Sequence, residues 1–258
     1  MQRPLATSVI NLDRDADRLR SVKAQFDALP EFILQRIPGV LAADLPHAAC
    51  THLAGKLGAK RRGMLGCFLA HVSAWEVAAE SDEPAHLIIE DDIQLVHPEA
   101  LFRADLPEDT DIVFCNSRMN PNPDVARREA PLVLPARAAL AVKAAIGASG
   151  RNWVGVGADG YMLTKAGASK LIAAVMRDGF WGHVDARMLR YCLAPDDVRS
   201  AAPDGSLDFW QIMDPASHPK LPWGILNGYC LSPHVVKPNS AFSPATSARR
   251  ALDQGRSL

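Results

Sequence analysis

No apolar run in this chain reaches the ~18 to 20 residues that span a bilayer, and Asp13 interrupts the first apolar stretch. Neither a membrane helix nor a secretory leader is expected. Cysteine is scarce: Cys50, Cys67, Cys115, Cys192 and Cys230 are odd in number, widely spaced and contain no C-x-x-C. That pattern disfavours a disulfide framework or a cysteine zinc site and points to a reducing, cytoplasmic setting. Excess charge is missing too, since 28 Lys+Arg against 29 Asp+Glu leave a net charge of −1, without the basic footprint of a nucleic-acid binder. The glycine-rich P-loop, H-E-x-x-H and G-x-S-x-G are absent, which removes the signatures of kinase-type NTPases, zincins and α/β-hydrolases.

What is present is an ordinary globular composition, 48% hydrophobic and 22% charged over 258 residues. A chain of this length buries roughly 70 to 75% of its unfolded surface and needs no metal or disulfide to fold. ATSVINL (6–12) reads as a strand, and Ala16, Leu19, Val22, Phe26 and Leu29 then mark an amphipathic helix stopped by Pro30. FILQRIPGV reads as a second strand and 42–62 as a polar connection. Over 63–80, Met64, Phe68, His71 and Trp75 share one helix face that should pack inward. AHLIIEDDIQL and DIVFCN read as buried strands, whereas 119–152 shows no single period and reads in part as a loop. GYML is a further strand, with Thr164 as N-cap of a helix that buries Ala168, Leu171, Ile172, Val175 and Met176 and ends at Gly179. WGHVDARMLRYCL suggests a short helix, and the tail from Asp208 is loop-rich with a strand-like HVV. Strands alternating with helices predict a mostly parallel, Rossmann-like α/β sheet flanked by helices on both faces.

Glu90, Asp91 and Asp92 follow directly on the apolar residues 86–89. Adjacent carboxylates repel, and no core position favours an unpaired one, so folding alone does not explain them. Open α/β sheets bind ligands beyond the carboxyl ends of their strands, and a hard divalent cation would neutralise the cluster while leaving room for phosphate oxygens. The alternative is a solvated acidic turn. His71, on a face shared with Phe68 and Trp75, reads first as a hydrogen-bonded core imidazole, and Cys67 as a small apolar filler.

VINLDRDADRLR, GCFLAHVSAWE, LIIEDDIQL and GADGYMLTKAGASKLI occur in the order and character of glycosyltransferase family 25, and the chain resembles that family over about residues 5–245. The family includes bacterial lipopolysaccharide sugar transferases and is similar to collagen galactosyltransferase domains. The resemblance implies a single GT-A type domain over 1–245 with a frayed tail at 246–258, a UDP-sugar donor with galactose commonest, Mn²⁺ or Mg²⁺, and inversion at the anomeric carbon. It makes the acidic trio a variant of the D-x-D motif, with Asp92 and either Glu90 or Asp91 holding the cation against the donor diphosphate.

By the same resemblance Asn11, Asp13 and Arg14, with Arg18, lie where the donor base, ribose and phosphate sit, although Asp13 and Asp15 serve equally well as helix caps. Lys60, Arg61 and Arg62 either face the diphosphate or form a solvated basic turn, and Lys237 and Ser240 match a closing segment over the diphosphate. Asp185 matches the family's V-D step and is the preferred general base, with His183 as a secondary candidate. Asp159 orients sugar hydroxyls or is itself the base, and either aspartate could instead be a turn or cap residue. The family places Ser-His where this chain has Ala70 and His71. The expected acceptor is an oligosaccharide or lipid-linked saccharide such as lipopolysaccharide core, with peripheral contact at the inner membrane face. A non-catalytic nucleotide-binding module and a protein-directed transferase are the alternatives.

Overall fold

The first apolar run forms β1 (Leu5–Asn11), which pairs in parallel with β2 (Phe32–Pro38) on one side and β3 (Ala85–Glu90) on the other. The structure is a computed structural model that describes residues 3–120, 130–147, 157–180, 182–201 and 221–242. Four more strands, β5 (Ile112–Phe114), β6 (Leu132–Pro135), β7 (Gly160–Thr164) and β8 (Gly228–Ser232), complete a sheet of order β2-β1-β3-β7-β5-β8-β6. In this sheet β7 runs antiparallel to β3 and β5, and β6 runs antiparallel to β8. The short β4 (Ile93–Leu95) and β9 (Val236–Pro238) pair separately as an antiparallel ribbon.

Alternation along the strands divides the core in two. On one face Ile88, Ile112, Phe114, Tyr161 and Leu163 pack with Phe68 and Trp75 of α3 (Arg62–Glu80), Leu171 and Val175 of α6 (Lys165–Asp178) and Met188 of α7 (Val184–Tyr191). On the other, Val9, Leu87, Ile89, Val113 and Met162 pack with Val22 and Phe26 of α1 (Ala16–Phe26) and Leu101 of α4 (Ala100–Arg103). Helices therefore cover both faces, as the alternating pattern predicts. Among the described residues no helix is long and apolar enough to cross a membrane.

Several local expectations hold. Gly167 N–H donates to Thr164 Oγ1 at 3.1 Å, making Thr164 the N-cap of α6, and Gly179 ends that helix with φ 73°. Others need correction. The 42–62 connection contains α2 (His47–Lys60), kinked at Gly55 where φ is 67°. The unpatterned middle holds β6 and α5 (Ala136–Gly147), and α8 (Pro195–Ala201) and β8 arise in stretches without a clear signal. Met176, expected inward, is 82% exposed, because Val175 takes the core-facing position beside it. The expected tail and domain end lie outside the described residues.

Candidate active site

The carboxyl ends of β1, β2 and β3 open on a cleft of about 190 Å³, roofed by the first turns of α3. Ile10, Leu12, Asp15, Arg18, residues 39–43, Gly63, Gly66, Cys67, His71, Glu90, Asp91 and Asp92 line it. A glycine is required at 66: a Cβ there would stand 2.2 Å from the Val40 carbonyl oxygen, so α3 approaches the 39–43 segment through backbone alone.

The three consecutive acids reach the cleft but take different directions. Asp91 turns inward, accepting from Asn11 Nδ2 at 2.7 Å and from Arg18 Nη1 at 3.2 Å. Burial pushes its carboxyl up to about 6 against the pull of Asn11 and Arg18. Its contacts are those of a brace between β1, α1 and β3, which sets it apart from its two neighbours. Asp92 keeps a partly open side chain, with Oδ2 3.6 Å from Arg18 Nη1, and its carbonyl accepts from Asn239 N–H at 2.7 Å. Glu90 points toward α3, where Oε1 lies 3.3 Å from His71 Nε2 and 3.9 Å from Cys67 Sγ.

The buried imidazole of His71 belongs to a directed chain. Trp75 Nε1 can only donate, and it reaches Tyr161 Oη at 2.7 Å. The phenol hydrogen is then left for His71 Nδ1, 2.8 Å away. In the neutral ring Nε2 carries the proton and donates to Glu90. His71 is thus both the expected satisfied core histidine and the residue that fixes Glu90. Cys67 is not the expected core filler: it is exposed on the cleft wall, one helical turn before His71.

Asp159, just before β7, is 2% exposed, and neither carboxylate oxygen has a hydrogen-bond partner. Burial, with Glu90 and Asp92 adding repulsion, lifts it to about 7 even though Arg118 Nε stands 4.0 Å from Oδ2. Asp185, at the start of α7, is half-buried, and its Oδ1 accepts from Ala186 N–H at 2.8 Å. Burial raises its pKa, His183 opposes the rise, and Glu90 adds to it. Glu90 and Arg118 therefore act electrostatically on both Asp159 and Asp185, although the four are far apart in sequence. Arg118, placed by the turn in which Asn116 Oδ1 accepts from Met119 N–H, is a cation of this group that sequence periodicity did not single out.

The remaining candidates are held by protein partners. Asn11 Nδ2 donates to Asp91 and to the Asp15 carbonyl, while Oδ1 accepts from Arg36 Nε at 3.0 Å. Asp13 pairs with Arg36, and Arg14 is exposed beside it. The capping alternative for Asp15 is not realised by its side chain, which makes no capping hydrogen bond. Arg62 Nη1 donates to the carbonyls of Ala43 and Leu45, tying α3 to the cleft rim. Lys237 is half-buried on β9 opposite Gln94, Ser240 is exposed beyond it, and the Lys60 side chain lies outside the described residues.

A family model described as glycosyltransferase family 25 (LPS biosynthesis protein) matches residues 5–185. No curated protein matches the chain. Among solved structures, the apo-form glycosyltransferase GlyE in Streptococcus pneumoniae TIGR4 aligns with a TM-score of 0.41 at 9% identity, covering 98% of this chain and 63% of GlyE. The chain therefore spans less than two thirds of that protein. The galactosyltransferase LgtC, in complex with donor and acceptor sugar analogs, aligns with a TM-score of 0.40 at 12% identity, covering 97% of this chain and 95% of LgtC.

Proposed function

Because this chain belongs to glycosyltransferase family 25, we propose that it moves a hexose, galactose foremost, from a UDP-sugar to a saccharide acceptor such as lipopolysaccharide core, with inversion and with Mn²⁺ or Mg²⁺ assisting. The observation that carries this reading is the meeting of Glu90 and Asp92 in one cleft at the ends of β1 and β3, with the buried Asp159 carboxylate, whose oxygens accept no hydrogen bond, close enough to feel the charge of both. Clustered negative charge of this kind suits a divalent cation, and carboxylate oxygens suit a hard one. Glu90 and Asp92, both partly open, would hold it. When bound, the ion supplies positive charge against the diphosphate as it leaves.

The protein's own part is to bind, orient and move one proton. Arg18 on the cleft wall and Arg14 on the exposed turn before α1 are the phosphate contacts, and Asn11 acts through Asp91, keeping that brace in place. Asp159 accepts from sugar hydroxyls, which would fill its empty hydrogen-bonding positions. Asp185 is the general base. Its Oδ1 is engaged by the Ala186 amide, which leaves Oδ2 to receive the acceptor's hydroxyl proton. The hydroxyl oxygen bonds to the anomeric carbon as the carbon–oxygen bond to UDP breaks, and burial raises the basicity of Asp185 for this step.

The test is product formation with a panel of UDP-sugars and saccharide acceptors, with and without Mn²⁺. Transfer from UDP-galactose that requires the metal and is lost in Asp185→Asn supports the reading. Metal-independent transfer, or full activity in Asp185→Asn, contradicts it.

A further inference from the structure

We propose that Cys67, His71 and Glu90 form a binding site for a borderline d-block cation, Zn²⁺ foremost, distinct in chemistry from the hard-oxygen site assigned to the sugar donor. Among the described residues these three are the group of His, Cys, Asp or Glu whose ligand atoms all lie within 4.8 Å of one another. The consecutive acids Glu90, Asp91 and Asp92 do not gather in this way.

The spacing suits the metal. Tetrahedral zinc with nitrogen and oxygen at about 2.0 Å and sulfur at about 2.3 Å separates nitrogen from oxygen by roughly 3.3 Å and sulfur from either by roughly 3.5 Å, within a few tenths of an ångström of what stands here. Here His71 Nε2 stands 3.3 Å from Glu90 Oε1, and Cys67 Sγ stands 3.9 Å from the same oxygen. Cys67 and His71 are four residues apart on α3, so both side chains leave one face of a rigid helix, and Glu90 faces them from the end of β3. The outer support is present as well: Tyr161 Oη lies 2.8 Å from His71 Nδ1 and is itself held by Trp75. On metal capture the ring changes tautomer, Nε2 losing its proton while Nδ1 gains one to donate to Tyr161 Oη, whose own hydrogen turns away, and the Cys67 thiol releases its proton to solvent, so that one proton leaves in all. Cys67 is exposed on the cleft wall, which provides an entry path and leaves a fourth position for water. A thiolate, an imidazole and a carboxylate select zinc, cobalt or nickel over magnesium or manganese.

Glu90 belongs to both sites. On the reading under Proposed function, zinc and the donor cation compete for this carboxylate, which makes zinc an antagonist of sugar transfer.

The probe is Co²⁺ added to the full chain under a non-thiol reductant. The expected result is one equivalent bound with a sulfur-to-cobalt charge-transfer band, displaced by one equivalent of Zn²⁺ and abolished in Cys67→Ser. The same band should persist in Asp92→Asn, which removes the proposed donor cation and so separates failure of this site from failure of the donor reading. Cys67→Ser changes an exposed residue, and an unaltered melting curve confirms its fold. No charge-transfer band in the wild type, or an undiminished band in Cys67→Ser, overturns the proposal.

Discussion

Asn11 Nδ2 donates to Asp91 Oδ2 across 2.7 Å, joining the ends of two neighbouring parallel strands at the floor of the cleft. This contact divides a run of three like residues into one brace and two groups open to a ligand, and the two kinds should respond differently to mutation.

Replacing Asp91 by Ala leaves the buried Arg18 guanidinium and the Asn11 amide without their shared acceptor, at a cost of about 2 to 4 kcal/mol. Asp92→Asn should cost less than about 0.5 kcal/mol, because its side chain is partly open, yet abolish turnover. Denaturant unfolding of the two variants beside an activity assay makes the comparison.

Tyr161→Phe removes the only oxygen between Trp75 Nε1 and His71 Nδ1, both buried. A loss of roughly 1 to 3 kcal/mol is expected. In the wild type, nitrogen NMR of His71 should show the proton on Nε2, and in the variant that preference should weaken.

Asp159 titrates near 7 when folded, above the ordinary value of 3.8, so folding favours its neutral form. Its contribution is most favourable below pH 3.8 and is lost as pH rises through 7. Asp159→Asn should therefore stabilise the metal-free protein at pH 8, by up to roughly 4 kcal/mol, with more than half of that gain gone at pH 5. Thermal melts at the two values check the sign.

Gly66→Ala forces a Cβ against the Val40 carbonyl oxygen and should destabilise by about 1 to 3 kcal/mol, with the cleft rim displaced. Gly63→Ala, one turn earlier, meets nothing within 4 Å and should be neutral or gain about 0.5 to 1 kcal/mol from helix propensity. The pair is read by calorimetric melting.

The sheet was legible where periodicity was strong. Val9, Ile88 and Phe114 sit in runs too apolar for anything but buried strands, and Phe68, His71 and Trp75 mark the inner face of α3 by spacing alone. α2 escaped detection because Gly55 breaks its pattern in the middle, and β8 because its five residues lie among turn formers. Met176 falls outside the prediction because Ala168, Leu171, Ala174 and Val175 already fill the core face of α6 and position 176 lies past its edge. At the site, the position of the acids at a strand end was readable, but the separate fate of Asp91 depends on Asn11 and Arg18, some 80 and 73 residues away in sequence. The pairing of Cys67 with Glu90 had one local signal, the four-residue interval from Cys67 to His71, and that signal gains meaning only when the next strand brings the carboxylate alongside.

The most direct measurement is calorimetric titration of UDP into the wild type and Asp92→Asn, each with and without Mn²⁺. Tight binding that needs the ion in the wild type and disappears in the variant is the predicted result. Nucleotide binding that ignores Mn²⁺, or that survives unchanged without the Asp92 carboxylate, would contradict the assignment of this cleft.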